Sequence, residues 1–334
     1  MKAKKLKIMT ILGTRPEIIR LSAILPKLDI FFDHKIVFTR QSFSYELSDI
    51  FFKELNLRKP DYLLDVKAET LGGQIANIFS ETEKVLVKEK PDAIVHLAAK
   101  ADTRKAVLSP YEYISVNIEG TLNLLECARE FGIKKFVFIS SSSIYGNKNS
   151  APFSEEDQTD FPLSPYGASK KAAEILIYTY YHNFNLPAVC LRVFNAYGER
   201  MRPNLVLSIW LKKILNGEPI EMSGDGTRRR DFTYVGDTVN AIMLALKKPL
   251  DFEIINIGNS RPLTLNQLLR VLEKAVGTKA IVQKRPSHKA SVEQTHASTS
   301  KAKRVLGWKP LMPIDEGIKR FVLWVRDGGF ENIR

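Results

Sequence analysis

Between Leu6 and Leu97 the chain repeats one pattern, an apolar run followed by a stretch of helical periodicity. The apolar runs are LKIMTIL (6–12), HKIVFT (34–39), DYLLDV (61–66) and DAIVHL (92–97), and helices are expected from about Pro16, around Tyr45 to Leu55 and near Leu71 to Lys88. Strands that alternate with helices pair in parallel, because each crossover needs a dozen or more residues and a helix supplies them. FVFIS (136–140) and AVCLRVF (188–194), with helices near Tyr113 to Glu130 and Tyr166 to Tyr181, continue the pattern. The expected fold is therefore α/β: a doubly wound, parallel, Rossmann-like sheet followed by a smaller C-terminal α/β lobe. The expected divisions are 1–95 for the first half of the sheet, 96–197 for the second half and 198–334 for the lobe.

At 334 residues, 44% hydrophobic and 26% charged, the chain has the composition of a globular protein with a large core. The net charge of +13 comes from lysines scattered among acids, without a zinc-finger or aromatic-rich RNA signature, so no nucleic-acid partner is expected. No apolar run reaches membrane-spanning length, and the basic start Met1 to Lys7 lacks the apolar region of a signal peptide. Two cysteines, Cys127 and Cys190, read as buried fillers in a reducing cytoplasm. His288 and His296 lack acids or cysteines nearby, so no metal site is expected.

Chemistry concentrates between Ser140 and Lys170, where a serine cluster closes an apolar run and Tyr166 and Lys170 follow at helical spacing. Residues four apart share a helix face, so Lys170 is expected to set its ammonium beside the Tyr166 phenol and favour the ionised phenol. Such a phenol serves as a base toward a sugar hydroxyl if a hydroxyl such as Ser141 holds the substrate oxygen, and a cofactor must accept the hydride.

Around this stretch lie His96-Leu97-Ala98-Ala99, Asn117 in VNIEGTLNLLECAR, Arg192-Val193-Phe194-Asn195-Ala196-Tyr197-Gly198, and Arg230-Asp231-Phe232-Thr233-Tyr234-Val235-Gly236-Asp237. In this order they resemble the extended short-chain dehydrogenases, in the nucleotide-sugar epimerase and dehydratase branch, from about Pro91 onward. The resemblance implies NAD as cofactor, a UDP-sugar as substrate and a homodimer formed through the helices after Tyr113 and at Tyr166. It implies Ser141, Tyr166 and Lys170 as the catalytic set, with Ala98 and Asn117 near the cofactor. Ser143, Asn195, Arg230 and Arg285 are the implied substrate contacts, and Arg228 and Arg229 read as solvated charges. Dehydratases of this branch carry acids after the Ser141 position, where this chain has Ser142 and Ser143, so epimerisation through a 4-keto sugar is expected.

The first βα turn departs from that pattern. Gly13-Thr14-Arg15-Pro16-Glu17-Ile18-Ile19 retains one glycine, with Pro16 and Ile19 where the family has others, and Thr39-Arg40 replaces the acid expected after the second strand. Gly13 and Arg15 are the expected cofactor contacts here, since Arg15 could bond a pyrophosphate. Residues 1–95, through ILGTRPEIIRLSAILPKL and FTRQSFSYEL, resemble instead the start of non-hydrolysing UDP-N-acetylglucosamine 2-epimerases, and the two likenesses meet within Asp92 to His96. Two alternatives to the NAD-dependent 4-epimerase follow: a sugar-nucleotide-binding protein that has lost NAD binding and catalysis, and a 2-epimerase-like enzyme.

Overall fold

The structure, a computed structural model, describes residues 5–13, 15–40, 49–147, 150–286 and 292–329. It forms two compact units. The first runs to Ile94 and includes Glu130–Lys135; the second contains Val95–Arg129 and the chain from Phe136. Apart from Glu130–Lys135, residues 96–197 fall together with the described residues beyond 197 in the second.

In the first unit, β1 (Lys7–Leu12) is followed by α1 (Arg15–Leu21), α2 (Leu25–Phe31), β2 (Asp33–Phe38), α3 (Asp49–Glu54), β3 (Tyr62–Leu63), α4 (Leu71–Glu89) and β4 (Ala93–His96). β1 pairs in parallel with β2 from Lys7↔Asp33 to Leu12↔Phe38 and meets β4 at Ile8↔Ala93, while β3 joins β2 at Val37↔Tyr62. Leu12, Ile18, Ile19, Leu25, Ile36, Phe38, Phe51 and Phe52 form the core between these strands and helices. The strand expected over 61–66 is shorter, because β2 ends at Phe38 and the Leu64 N–H, bonded to Phe38 O at 3.0 Å, is the last to find a partner there. Leu64 and Val66 are nonetheless buried. Of the helix expected at 45–55, residues 45–48 lie outside the described residues.

The second unit continues with α5 (Thr103–Leu108), α6 (Pro110–Ile114), a π-helical turn at Ser115–Glu119, α7 (Gly120–Glu130), β5 (Lys135–Ser141), a 3-10 turn at Ser142–Tyr145, α8 (Pro165–Phe184) and β6 (Ala188–Val193). It is completed by β7 (Ala196–Tyr197), α9 (Val206–Leu215), β8 (Ile220–Ser223), β9 (Arg229–Arg230), β10 (Thr233–Tyr234), α10 (Val235–Lys247), β11 (Phe252–Ile257), β12 (Leu263–Thr264), α11 (Leu265–Val276), β13 (Val282–Arg285) and α12 (Ile314–Arg326). β5, β6 and β11 lie side by side in parallel, in register from Phe136↔Ala188 and Ala188↔Phe252. The parallel sheet has seven strands in all, so the expected α/β class holds. Beyond β6, Tyr197, Trp210, Leu211, Ile220, Leu268, Leu272 and Phe321 belong to a second core cluster. β5 and β6 read as near-continuous apolar runs in the sequence because both faces are covered. No helix of the described residues is long and apolar enough to cross a membrane.

Candidate active site

β5 delivers the serines. Its last residue, Ser141, is extended, and its hydroxyl caps the following 3-10 turn by accepting the Ser143 N–H at 3.1 Å. The Ser141 hydroxyl also donates to the Ser143 hydroxyl at 3.2 Å. The turn closes at Gly146, whose φ of +61° suits glycine and where a Cβ would lie 2.2 Å from Phe161 O.

Helix α8 brings the phenol. Ser164 caps it by accepting the Gly167 N–H at 3.2 Å, and Pro165 occupies its first turn, where the missing N–H is not needed. Gly167 lets the helix start press on the serine turn, since a Cβ there would sit 2.6 Å from Ser143 O. The Ser141 side chain thereby comes close enough to the Tyr166 phenol to favour its ionised form. Burial raises the phenol above its ordinary 10, opposed by the Ser141 side chain and by the Arg202 guanidinium.

Lys170 makes contacts with β5 that its spacing from Tyr166 does not announce. Its ammonium, 3% exposed, donates to Ile139 O at 2.7 Å and lies 4.4 Å from the centre of the Phe138 ring. The Arg202 guanidinium is a cation that lowers the Tyr166 phenol. Residues i and i+4 share a helix face, and a β5 carbonyl under that face accepts one of the three ammonium protons. Burial drops Lys170 to about 8, with Glu174, one turn further along α8, partly opposing the fall.

Asn117 is buried in the π-helical turn and its amide is spent on the chain itself. It accepts the Lys100 N–H at 2.8 Å and donates to Lys100 O at 3.0 Å and to the Ser169 hydroxyl at 2.9 Å. It thus clamps the segment after β4 to α8, while Ala98 in that segment is exposed. His96, at the end of β4, bonds the Thr121 hydroxyl at 3.0 Å, and burial followed by the Lys170 charge depresses it to about 4.

The expected substrate contacts are more scattered. Ser143 belongs to the serine turn, and Asn195 is exposed after β6. The Arg230 guanidinium binds Val292 O at 2.7 Å and Glu293 O at 3.2 Å, and burial, then the neighbouring Arg228, brings it down to about 10. Arg228 is not a solvated charge: its side chain is 13% exposed and pairs with Glu293 at 2.8 Å. Arg285 is exposed at the end of β13, 3.4 Å from Glu221. His288 and Ser291 lie outside the described residues, as does the side chain of Arg15.

Several residues at the site had no sequence signal of their own. Tyr113 packs edge-on against the Tyr166 ring with centroids 6.3 Å apart. With Ala99, Lys100, Asp102, Lys105 and Arg202 it lines an open cleft of about 480 Å³. Beneath the serines, Glu174 and Arg192 form a buried ion pair of 2.8 Å. Glu174 could have been found, because it continues the 166, 170, 174 spacing along one face of α8.

In the first unit, Gly13 is buried and donates its N–H to the Glu17 carboxylate at 2.7 Å. The turn is therefore closed by an acid of its own helix, and Ile18 and Ile19 fill the core behind it.

The chain matches the NAD dependent epimerase/dehydratase family over residues 54–258. It is 45% identical over 236 residues to the UDP-glucuronate 4-epimerase of Thermodesulfobacterium geofontis, covering 70% of this chain and 72% of the relative. The UDP-glucose 4-epimerase of Thermotoga maritima, solved with UDP-glucose, superposes with a TM-score of 0.80 at 28% identity, over 96% of this chain and 99% of that one. The UDP-glucuronic acid 4-epimerase of Bacillus cereus, solved with UDP-glucuronic acid and NAD, gives 0.78 at 28% identity, over 96% and 99%. The family match starts at residue 54, well before the join expected at Asp92 to His96, and the likeness of residues 1–95 to 2-epimerases gains no support from it. By sequence and by fold, then, the chain belongs to the NAD-dependent epimerase/dehydratase family.

Proposed function

We propose that the protein is a UDP-sugar 4-epimerase that uses NAD and acts on UDP-glucuronate. The observation that carries this reading is the start of α8 pressed on the serine turn, which sets Tyr166 beside Ser141, with Tyr113 joining the Tyr166 ring to an open cleft. The relatives favour the uronic acid, and Arg202 in the same cleft carries the side chain best matched to a carboxylate.

Tyr166 removes the proton of the sugar 4-hydroxyl and later returns it, and Ser141 holds that oxygen in line. NAD, when bound, would supply the hydride acceptor for C4 and the hydride donor for the 4-keto sugar. Lys170 fits the ribose end of such a cofactor, because an ammonium has three donors and Ile139 O accepts one. Ala98, exposed after β4, leaves room on the same side. Gly13 and Arg15 are the proposed contacts of the first unit, where the Glu17 carboxylate now takes the Gly13 N–H. Ser143, Asn195, Arg230 and Arg285 are the proposed contacts to the UDP-sugar. We further propose a homodimer through α6, α7 and α8, where Ile114, Leu122 and Ile175 are exposed.

The test is incubation of the purified protein with UDP-glucuronate and NAD, followed by NMR of the sugar anomeric protons. UDP-galacturonate should appear without net NADH. Turnover of UDP-glucose but not UDP-glucuronate would refute the substrate, and no turnover of any UDP-sugar would refute the reaction.

A further inference from the structure

The turn that carries Ser141 and Ser143 is held at both ends by one buried polar network. At its start the Ser140 hydroxyl donates to Glu174 Oε1 at 2.6 Å. At its end the Tyr145 hydroxyl accepts from Arg192 Nη1 at 2.9 Å and donates to Asn256 Oδ1 at 2.7 Å. Between them, Arg192 grips Glu174 with two bonds, Nε to Oε1 at 3.0 Å and Nη2 to Oε2 at 2.8 Å. Glu174 is 1% and Arg192 2% exposed.

We propose that the Glu174–Arg192 pair is a positioning brace for the reaction, fixing the Ser141–Ser143 turn against Tyr166 through Ser140 at one end and Tyr145 at the other.

Three features favour positioning over mere stability. A buried ion pair is a poor source of stability, because desolvating two charges offsets most of their attraction, so its presence under a reacting group asks for another explanation. Its bonds are bidentate and planar, which fixes orientation as well as distance. Finally, its two outer contacts fall on the residues flanking the functional turn, Ser140 before Ser141 and Tyr145 after Ser143. Asn256 extends the brace by donating its side-chain amide to Phe153 O at 2.9 Å and its backbone N–H to Glu155 Oε1 at 2.7 Å, so β11 anchors what α8 and β6 hold.

The inference rests on the function proposed above for Ser141 and Tyr166, and its test separates the two. Removing Glu174 or Arg192 would strand a buried charge, so the outer bonds are the better targets. Ser140→Ala and Tyr145→Phe each delete one hydroxyl and leave the ion pair. With UDP-glucuronate, each should lower kcat roughly 10- to 100-fold with KM within about twofold, the cost of misplacing a reacting group by about an ångström. In parallel, the Tyr166 phenol is titrated by NMR of 13Cζ-labelled tyrosine, assigned with Tyr166→Phe. Ser141, Arg202 and Tyr113 are the groups that face it. Both variants should titrate at higher pH than the parent, as should Ser141→Ala, because the Ser141 hydroxyl that favours the phenolate is no longer held toward it. An unmoved midpoint in folded variants overturns the brace, whatever the turnover. A parent protein that turns over no UDP-sugar overturns the proposed reaction instead, and the titration still decides the brace.

Discussion

Lys170→Met should make the protein more stable and less active, and the structure sets the size of the gain. In the folded chain Lys170 falls from 10.5 to about 8, with burial the largest cause. Holding the proton in that environment at pH 7 therefore costs roughly 3 kcal/mol. Methionine matches the unbranched chain and keeps the packing on Phe138, but it leaves Ile139 O without the 2.7 Å bond, a loss of about 1 kcal/mol. The net gain at pH 7 is about 2 kcal/mol. The sign follows from proton binding: between pH 8 and 10.5 the unfolded lysine holds a proton that the folded one has released, so stability of the parent rises with pH through that window. The advantage of the variant should thus shrink to about zero near pH 9.5. Urea unfolding of cofactor-stripped protein at pH 7 and pH 9.5 measures both values, since bound NAD would add its own stabilisation. A variant less stable than the parent at pH 7, or a gain that does not shrink with pH, would refute the claim that this ammonium is held at a cost for function.

Tyr166→Phe should lower epimerase turnover by about 100-fold or more, while far-UV circular dichroism and UDP binding stay unchanged; turnover near the parent value would remove Tyr166 from its role. Glu17→Gln should tighten NAD about fivefold in calorimetry, or roughly 1 kcal/mol, because a carboxylate at Gly13 opposes a phosphate there; unchanged or weaker binding would place the phosphates elsewhere. For the homodimer proposed above, Ile175→Asp should sediment as a monomer where the parent sediments as a dimer, and a variant sedimenting like the parent would remove α8 from the interface.

What the sequence disclosed, and what it withheld, divides by range along the chain. The strands β1, β2, β4, β5 and β6 were legible as short apolar runs, most clearly β5 and β6, whose two faces are both covered. Tyr166 and Lys170 were legible as a four-residue spacing. Where the Lys170 ammonium goes was not, since Ile139 O, its acceptor, lies 31 residues away on another element. The same holds for Arg192, which read as part of a motif near Asn195, while its partners Glu174, Tyr145 and, through Tyr145, Asn256 come from three other segments. The first turn makes the complementary point. Its glycines differ from the family pattern and its first 53 residues lie outside the family match, yet β1 and α1 form on either side of Gly13. Apolar periodicity is what builds strand, turn and helix, and many residues satisfy it; the approach of a phosphate to backbone depends on individual atoms, here the Gly13 N–H and the carboxylate that holds it. A chain can therefore keep its fold through a segment in which the cofactor contacts have been rewritten, and the Glu17→Gln affinity reads how far that rewriting went.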